Sequence, residues 1–450
     1  MDKKLTVLEN PIYSPLAVAK LPQKQQPNKD ILHCDLNNFY ASVECLENEQ
    51  FRDKPLVVCG NAEERRGVVL AKNYIAKSYG IKTGQTLWEA KKLCPFLVST
   101  NARFDRYIYY SNLVREVFLE YTDFVEPFSI DEAWLDVTKS KIFGTPLEIA
   151  VKIKQKIKKE IGLTASVGVS FNKTMAKLGS DIKKPDAVTQ ITHENFKEKV
   201  WPLPVNELLM VGPRTLFKLK KIGICTIGEL ANLPLSFLQQ KFGIIGVYLN
   251  EYANGTENKP VKKYGDPEKI KHIGNTTTCY RDLREDFEVK EVFTLLAQKL
   301  AERLFLKNLP PVKHISIYIK NNLLESCCKR TVLNAPIFAC NDILNEAFKL
   351  FKSFYRWDKP IRALGISLGG FIKNEHQLSF FDKPQKNCTL NSLNGIILPK
   401  KTAQKNLEKT TIMLNEKFGN KALFKGSTLF DENLGLKGTM HSIHPISFLK

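Results

Sequence analysis

Two stretches decide the reading: D-I-L-H-C-D-L-N-N-F-Y-A-S-V-E at residues 30–44 and F-S-I-D-E-A-W-L-D-V-T at 128–138. In each, a short apolar run meets carboxylates: Asp35 closes ILHCD, and Asp131 with Glu132 opens the second run. Short apolar runs bounded by turn formers predict buried strands. A single acid at a strand end is an ordinary solvated cap, but acids gathered where a core is expected repel one another unless cations neutralise them. Oxygen donors of this kind suit Mg²⁺, which keeps part of its shell for water and substrate phosphates. Two such ions roughly 3.5–4 Å apart would activate a hydroxyl nucleophile and stabilise the leaving oxygen of an in-line displacement.

Working outward, short apolar strands alternate with helices up to about residue 190. ILHCDL, PLVVCG, GVVLA, FLVST, WLDVT and ASVGVS read as strands. FYASVECLEN, KNYIAKSYG, RFDRYIYYSNLVREVFLEYT and LEIAVKIKQKIKKEIG read as helices by spacing, so this part is an α/β body. Residues 200–256 carry short helical stretches with Pro and Gly punctuation. Residues 270–371 read as β-α-β-β-α-β, the ferredoxin-like split unit. Residues 1–29 form an extended leader. From Lys373 a basic tail follows with one short helix near Thr410 to Phe418 and no core of its own.

At 450 residues the chain implies about three domains. Its 43% hydrophobic content excludes wholesale disorder. The 67 Lys and Arg against 47 Asp and Glu leave a charge of +20, which favours a polyanionic partner. No apolar run is long enough for a membrane span and the start is a poor signal peptide, so nucleic acid in the cytoplasm is the expected setting. Ten scattered cysteines, with no C-x-x-C pair, point to reduced buried thiols rather than zinc or disulfides; Cys34, beside Asp35, is no exception.

D-L-N-N-F-Y-A-S-V-E at 35–44 and S-I-D-E-A-W-L-D-V-T at 129–138 closely resemble the two palm motifs of the Y-family, or translesion, DNA polymerases, of the bacterial UmuC/DinB-like kind. The resemblance runs from about Asp30 to Leu368. It implies a right-hand polymerase of mixed α/β class: a ferredoxin-like palm (30–39 and 103–192), small fingers (40–102), a helical thumb (193–258) and a β-α-β-β-α-β little finger (265–372). It also implies template-directed synthesis across damaged DNA, with two Mg²⁺ ions held by Asp35, Asp131, Glu132 and the carbonyl of Leu36. Asn37 stands where many relatives have Asp, which argues against its being a required ligand. Phe39 and Tyr40 would contact the nucleotide, Tyr40 as the ring that leaves no room for a 2′-hydroxyl.

Tyr74 and Lys77 lie three apart, on one helical face, and resemble the family's Tyr and Arg on the triphosphate. Lys77 replaces a planar fork with a point charge. In SFNKTMAKLGSDIKKPD, residues 170–186, Lys184 matches a phosphate-binding lysine. MVGPRTLFKLKKIG resembles a helix-hairpin-helix that offers Gly212, Arg214 and Lys218 to DNA. Met210 replaces its first glycine and Pro213 has no N–H to give. Arg281, Arg284, Lys329 and Arg330 are the little-finger candidates for the DNA backbone. The run Lys152, Lys154, Lys156, Lys158 and Lys159 reads as a solvated face. Gln377-Leu378-Ser379-Phe380-Phe381 resembles the peptide that binds bacterial sliding clamps, through Gln377, Leu378, Phe380 and Phe381. The expected partners are primer-template DNA, dNTP and the clamp, with the chain a monomer. The competing reading is a catalytically impaired recruitment module of the same fold that binds DNA and clamp. A palm-type nucleotidyl cyclase leaves the thumb and little finger unexplained.

Overall fold

Twelve strands lie among the described residues, in chain order β1 (Ile31–Leu36), β2 (Leu56–Cys59), β3 (Val69–Lys72), β4 (Val98–Asn101), β5 (Val125–Pro127), β6 (Glu132–Asp136), β7 (Ala165–Ser170), β8 (Val188–Ile191), β9 (His272–Leu283), β10 (Val312–Asn321), β11 (Ser326–Ile337) and β12 (Ile361–Phe371). The structure is a computed structural model and describes residues 29–60, 67–267, 270–372, 400–418 and 423. The strands form three sheets, ordered β5-β6-β1-β7-β8, β3-β2-β4 and β11-β10-β12-β9.

In the first sheet β1 lies between β6 and β7, antiparallel to both. With helices Phe104–Leu119 and Pro146–Lys156 in the crossovers, the first and third strands of a β-α-β-β-α-β unit occupy the centre, the ferredoxin-like arrangement. All six residues of β1 are buried because both faces are covered. Leu32, Cys34 and Leu36 join a core with Val114, Phe118, Ile149 and Ile153. Ile31 and His33, pointing the other way, meet helix Lys173–Ile182 at Ala176 and Ser180. Two strands of this sheet lie outside the sequence expectation, β5 and β8, of three and four residues. Segments that short show too little alternation to register as strands.

The second sheet and its short helices enclose a small core of Val57, Val69, Ile81 and Leu97. Between residues 200 and 256 the chain is helical, with a core built on Leu219, Ile227, Leu230, Leu238 and Leu249.

The third unit has the expected element order but not the expected strand order. A ferredoxin-like unit centres its first and third strands; here the second and fourth, β10 and β12, are central and β11 and β9 are edges. Side-chain burial accounts for it. β10 buries Ile315, Ile317 and Ile319, and β12 buries Leu364, Ile366 and Leu368, whereas β11 contributes only Leu333 and Ile337. Element order leaves this choice open, because either order keeps every neighbour antiparallel.

The tail helix, Lys400–Phe418, starts ten residues before the expected one. It packs on the third unit: the Glu408 carboxylate accepts the Cys340 N–H at 3.0 Å, at the start of helix Cys340–Phe354. Among the described residues no helix is long and apolar enough to cross a membrane.

Candidate active site

Strand register brings the expected carboxylates together. Asp35 on β1 is the cross-strand partner of Glu132 on β6, and the Leu36 N–H donates to the Asp131 carbonyl at 3.0 Å. Alternation puts His33 and Asp35 on the same face as Glu132 and Trp134, the face covered by helix Lys173–Ile182. Three lysines on or just beyond that helix reach acids on three adjacent strands. Lys173 Nζ lies 2.7 Å from Glu126 on β5, Lys177 Nζ 2.6 Å from Glu132 on β6, and Lys184 Nζ 2.6 Å from Asp35 on β1. Lys184 also bonds Asp181 at 2.8 Å.

This environment drives the carboxylates apart in acidity. Burial pushes Asp35 up to about 7; Lys184 pulls against that, while Glu132 and Asp131 add to it. Burial raises Asp131 as well, although Ser129 Oγ donates to its Oδ1 at 2.5 Å. For Glu132 burial also acts upward, but His33 and Lys177 outweigh it and hold the group down to about 2. His33 is fully buried, its Nε2 3.4 Å from Glu132 and its Nδ1 2.8 Å from Ser180 Oγ. Burial lowers its own pKa, which favours the neutral ring.

Among the described residues no three His, Cys, Asp or Glu side chains converge as a finished metal cluster. The acids' charge is met by lysines instead. The donor set nevertheless fits a hard divalent cation, being all oxygen: Asp35 is raised first by burial and then by its neighbours Glu132 and Asp131, and a cation among the three would favour the charged form.

Phe39 is buried, and the half-buried Tyr40 ring stacks on Tyr107, with centroids 4.2 Å apart and planes 10° apart. Tyr74, 36% exposed, lies within the fields of Lys184 and Asp35: burial raises it, Lys184 lowers it and Asp35 raises it. Lys77 shares its five-residue helix, with Nζ 5.6 Å from the Tyr74 ring centroid. Asn37 is fully employed inside the fold. Its amide donates to Ser166 Oγ at 2.9 Å and its oxygen accepts the Asp186 N–H at 2.9 Å, bracketing the turn that carries Lys184. Lys154 and Lys158, read from sequence as a solvated face, bind Asp186 at 3.2 and 2.7 Å and belong to the same bracket.

Gly212, Arg214 and Lys218 are exposed, the first two at the start of helix Pro213–Lys221 and Lys218 in its last turn. Met210 adopts the left-handed conformation, φ 72°, that its place in the turn demands and glycine would take more readily. Arg281 is engaged with the buried Glu288 carboxylate. Lys329 and Arg330 fall on opposite faces of their sheet, since they pair with Ile317 and Ser316 respectively. Ile317 faces the helices, so Arg330 faces the open side, in a groove lined by Lys271, His272, His314, Ser316 and Ser367. Gln377, Leu378, Phe380 and Phe381 lie outside the described residues.

Sequence reasoning passed over His33, Tyr107, Lys173 and Lys177. The signal for the last two was the four-residue spacing within SFNKTMAK, which sets both on one helical face.

The chain matches the impB/mucB/samB family over residues 34–181 and that family's C-terminal domain over 270–380. It is 44% identical to DNA polymerase IV of Acetivibrio thermocellus, over 82% of this chain and 92% of that one. It is 38% identical to DNA polymerase IV 1 of Bacillus subtilis, over 91% and 95%. Among solved structures it resembles a Y-family DNA polymerase chimera, Dbh-Dpo4(243-245)-Dbh, with TM-score 0.68 and 24% identity, and the insertion ternary complex of Dbh DNA polymerase, with TM-score 0.54 and 25% identity. Each covers 77% of this chain and 100% of the other.

Proposed function

The chain belongs to the impB/mucB/samB family of Y-family DNA polymerases, and on that premise we propose how its residues divide the work. It is a DNA-directed DNA polymerase that carries synthesis across damaged templates, and its chemistry depends on divalent cations. The primer 3′-oxygen bonds to the α-phosphorus of the incoming dNTP as the bond to the pyrophosphate oxygen breaks. Two Mg²⁺ ions, when bound, would activate that hydroxyl and stabilise the departing oxygen.

The oxygens of Asp35, Asp131, Glu132 and the Leu36 carbonyl would hold them. The single observation that carries this is the β1–β6 register, which sets Asp35 against Glu132 with Asp131 tied to Leu36 beside them. Lys184 neutralises Asp35 until the nucleotide arrives, and its long stem lets it turn to the triphosphate together with Tyr74 and Lys77. Lys177 and His33 keep Glu132 ionised and oriented. Tyr40, with Phe39 behind it, walls the sugar site against a 2′-hydroxyl.

Primer-template DNA is held by helix Pro213–Lys221, through Gly212 and Arg214 at its start and Lys218 in its last turn, and by the open face of the third sheet. There Ser316, Ser367 and Gly369 allow a backbone to approach beside Arg330. Lys329 and Arg281 play lesser parts, one on the opposite face and the other engaged by Glu288. The chain acts as a cytoplasmic monomer that reaches the sliding clamp through Gln377, Leu378, Phe380 and Phe381.

The test is primer extension on intact and damaged templates with and without Mg²⁺. Asp131→Ala should abolish extension and leave DNA affinity nearly intact, because it removes a metal ligand and spares the basic surface. Near-normal extension by the folded variant would overturn the ligand assignment.

A further inference from the structure

The Tyr40 ring is not an isolated wall. On helix Phe39–Glu47, Tyr40 and Glu44 are four residues apart and share a face. Tyr107, from helix Phe104–Leu119, spans both: its ring lies flat on Tyr40 and its hydroxyl donates to Glu44 Oε1 at 2.7 Å. Glu44 is 1% exposed, and a carboxyl group so deeply buried needs several hydrogen-bond donors. It has them. Besides Tyr107, Arg103 donates through Nε to both oxygens at 3.1 Å and through a terminal nitrogen at 2.5 Å, its guanidinium reaching in from the surface. The Phe39 and Phe104 rings meet Tyr107 edge-on at 6.2 and 5.9 Å. Burial, then Glu44, raise the Tyr107 phenol well above its ordinary pKa, so it remains a donor at any working pH.

We infer that Glu44, acting through the Tyr107 hydroxyl, is a positioning residue that locks the Tyr40 ring and thereby sets how strictly the enzyme rejects ribonucleotides. This rests on the reading of Tyr40 as the sugar-site wall. Stacking alone fixes the distance between two rings but lets one slide and turn over the other. The hydroxyl bond to a fixed carboxylate removes that freedom. A filter that senses one oxygen atom needs it removed, because a displacement of about 1 Å is enough to spoil a site of this kind. Glu44 acts on Tyr40 through Tyr107, which stacks on the one ring and donates to the carboxylate.

The experiment measures kcat/KM for a dNTP and the matching rNTP in the full-length enzyme and in Tyr40→Ala, Tyr107→Phe and Glu44→Gln, with thermal melts of each. Tyr107→Phe keeps the ring and deletes only the hydroxyl. It should raise rNTP relative to dNTP efficiency roughly tenfold, the factor expected for one hydrogen bond to a charged group. The gain should fall mainly in the KM for rNTP. Glu44→Gln retains an acceptor for Tyr107 and should give a smaller rise, and Tyr107→Phe added to Tyr40→Ala should change nothing further. A merely structural role would lower both efficiencies together with the melting temperature and leave their ratio unmoved, which overturns the inference. If Tyr40→Ala raises the ratio and neither other variant does, the bracing fails and the wall stands. If Tyr40→Ala leaves the ratio unchanged, the reading of Tyr40 fails and the bracing falls with it.

Discussion

Replacing Lys177 by Met keeps the length of the stem and removes the charge that faces Glu132. Lys177 Nζ lies 2.6 Å from Glu132 Oε2, and the two side chains are 16% and 19% exposed, so the pair is largely withdrawn from water. A hydrogen bond to a charged group in such surroundings contributes about 1.5–3 kcal/mol, and stranding one partner of a fully buried pair costs about 3–5 kcal/mol. His33 stays 3.4 Å from Glu132 and keeps part of the compensation, which points to a loss of about 2 kcal/mol at neutral pH. In a unit of this size each kcal/mol moves the melting temperature by about 2–4 °C, so the variant should melt about 4–8 °C lower.

The sign with pH follows from Glu132. Its pKa is depressed in the fold, so the stability it contributes is complete above its unfolded value of 4.5 and is lost as pH falls through about 2. In Lys177→Met the folded value moves up toward the unfolded one, and the gap in melting temperature between parent and variant should close on acidification. A bound divalent cation would take over the lysine's role, so MgCl₂ should raise the variant's melting temperature more than the parent's. The assay is thermal unfolding at pH 7 and at pH 3, with and without MgCl₂. Equal melting temperatures at pH 7, or an equal response of both proteins to MgCl₂, would refute Lys177 as the counter-charge of this site.

Three further outcomes are expected. Arg330→Ala should weaken primer-template binding and flatten the plot of log affinity against log salt by about one unit, while Lys329→Ala does much less; equal effects in titrations at several salt concentrations would contradict their placement on opposite faces. Glu288 accepts the Arg284 and Glu285 N–H groups at 2.6 and 3.0 Å, and although burial raises its pKa, these bonds and Arg281 hold it below the ordinary value. Glu288→Gln should therefore lower the melting temperature at pH 7 by a few degrees, with the difference fading below pH 4.5 as the parent's carboxylate protonates; a constant gap across pH would rule out its charge as the cause. Changing Gln377, Leu378 and Phe381 together to Ala should cut clamp binding and clamp-stimulated synthesis while basal extension on short primers stays nearly unchanged, and loss of basal extension in the same variant would show that the segment serves the fold instead.

The palm was legible because its centre is written twice in the same dialect. ILHCDL and the strand after Asp131 are apolar on both faces, as strands covered on both sides must be, and each has its acid at one end. The third unit was legible only as an order of elements. Strand order there depends on which two strands can stand burial, and that becomes visible when β10 and β12 are seen to carry three buried aliphatic side chains each on one face. The same alternation separates Lys329 from Arg330, which adjacency in sequence had joined.

The lysines show why part of the site could not be read. A lysine at helical spacing is ordinarily solvated, so the four-residue spacing of Lys173 and Lys177 shows that they share a face but not that the face meets acids, and Lys183, a few residues on, is exposed. The difference comes from the sheet. Glu126, Glu132 and Asp35 sit far apart or out of order in the chain, yet β5, β6 and β1 are consecutive in space, so their acids form a row. Strands lie about 4.8 Å apart and a helix advances 1.5 Å per residue, so a helix crossing them needs cations about one turn apart to meet neighbouring acids. Lys173 and Lys177 satisfy that spacing, and Lys184, beyond the helix end, is carried back to Asp35 by the Asn37–Asp186 bracket. Under the function proposed above, Asn37 thus acts through the lysine it places rather than through a metal it would bind.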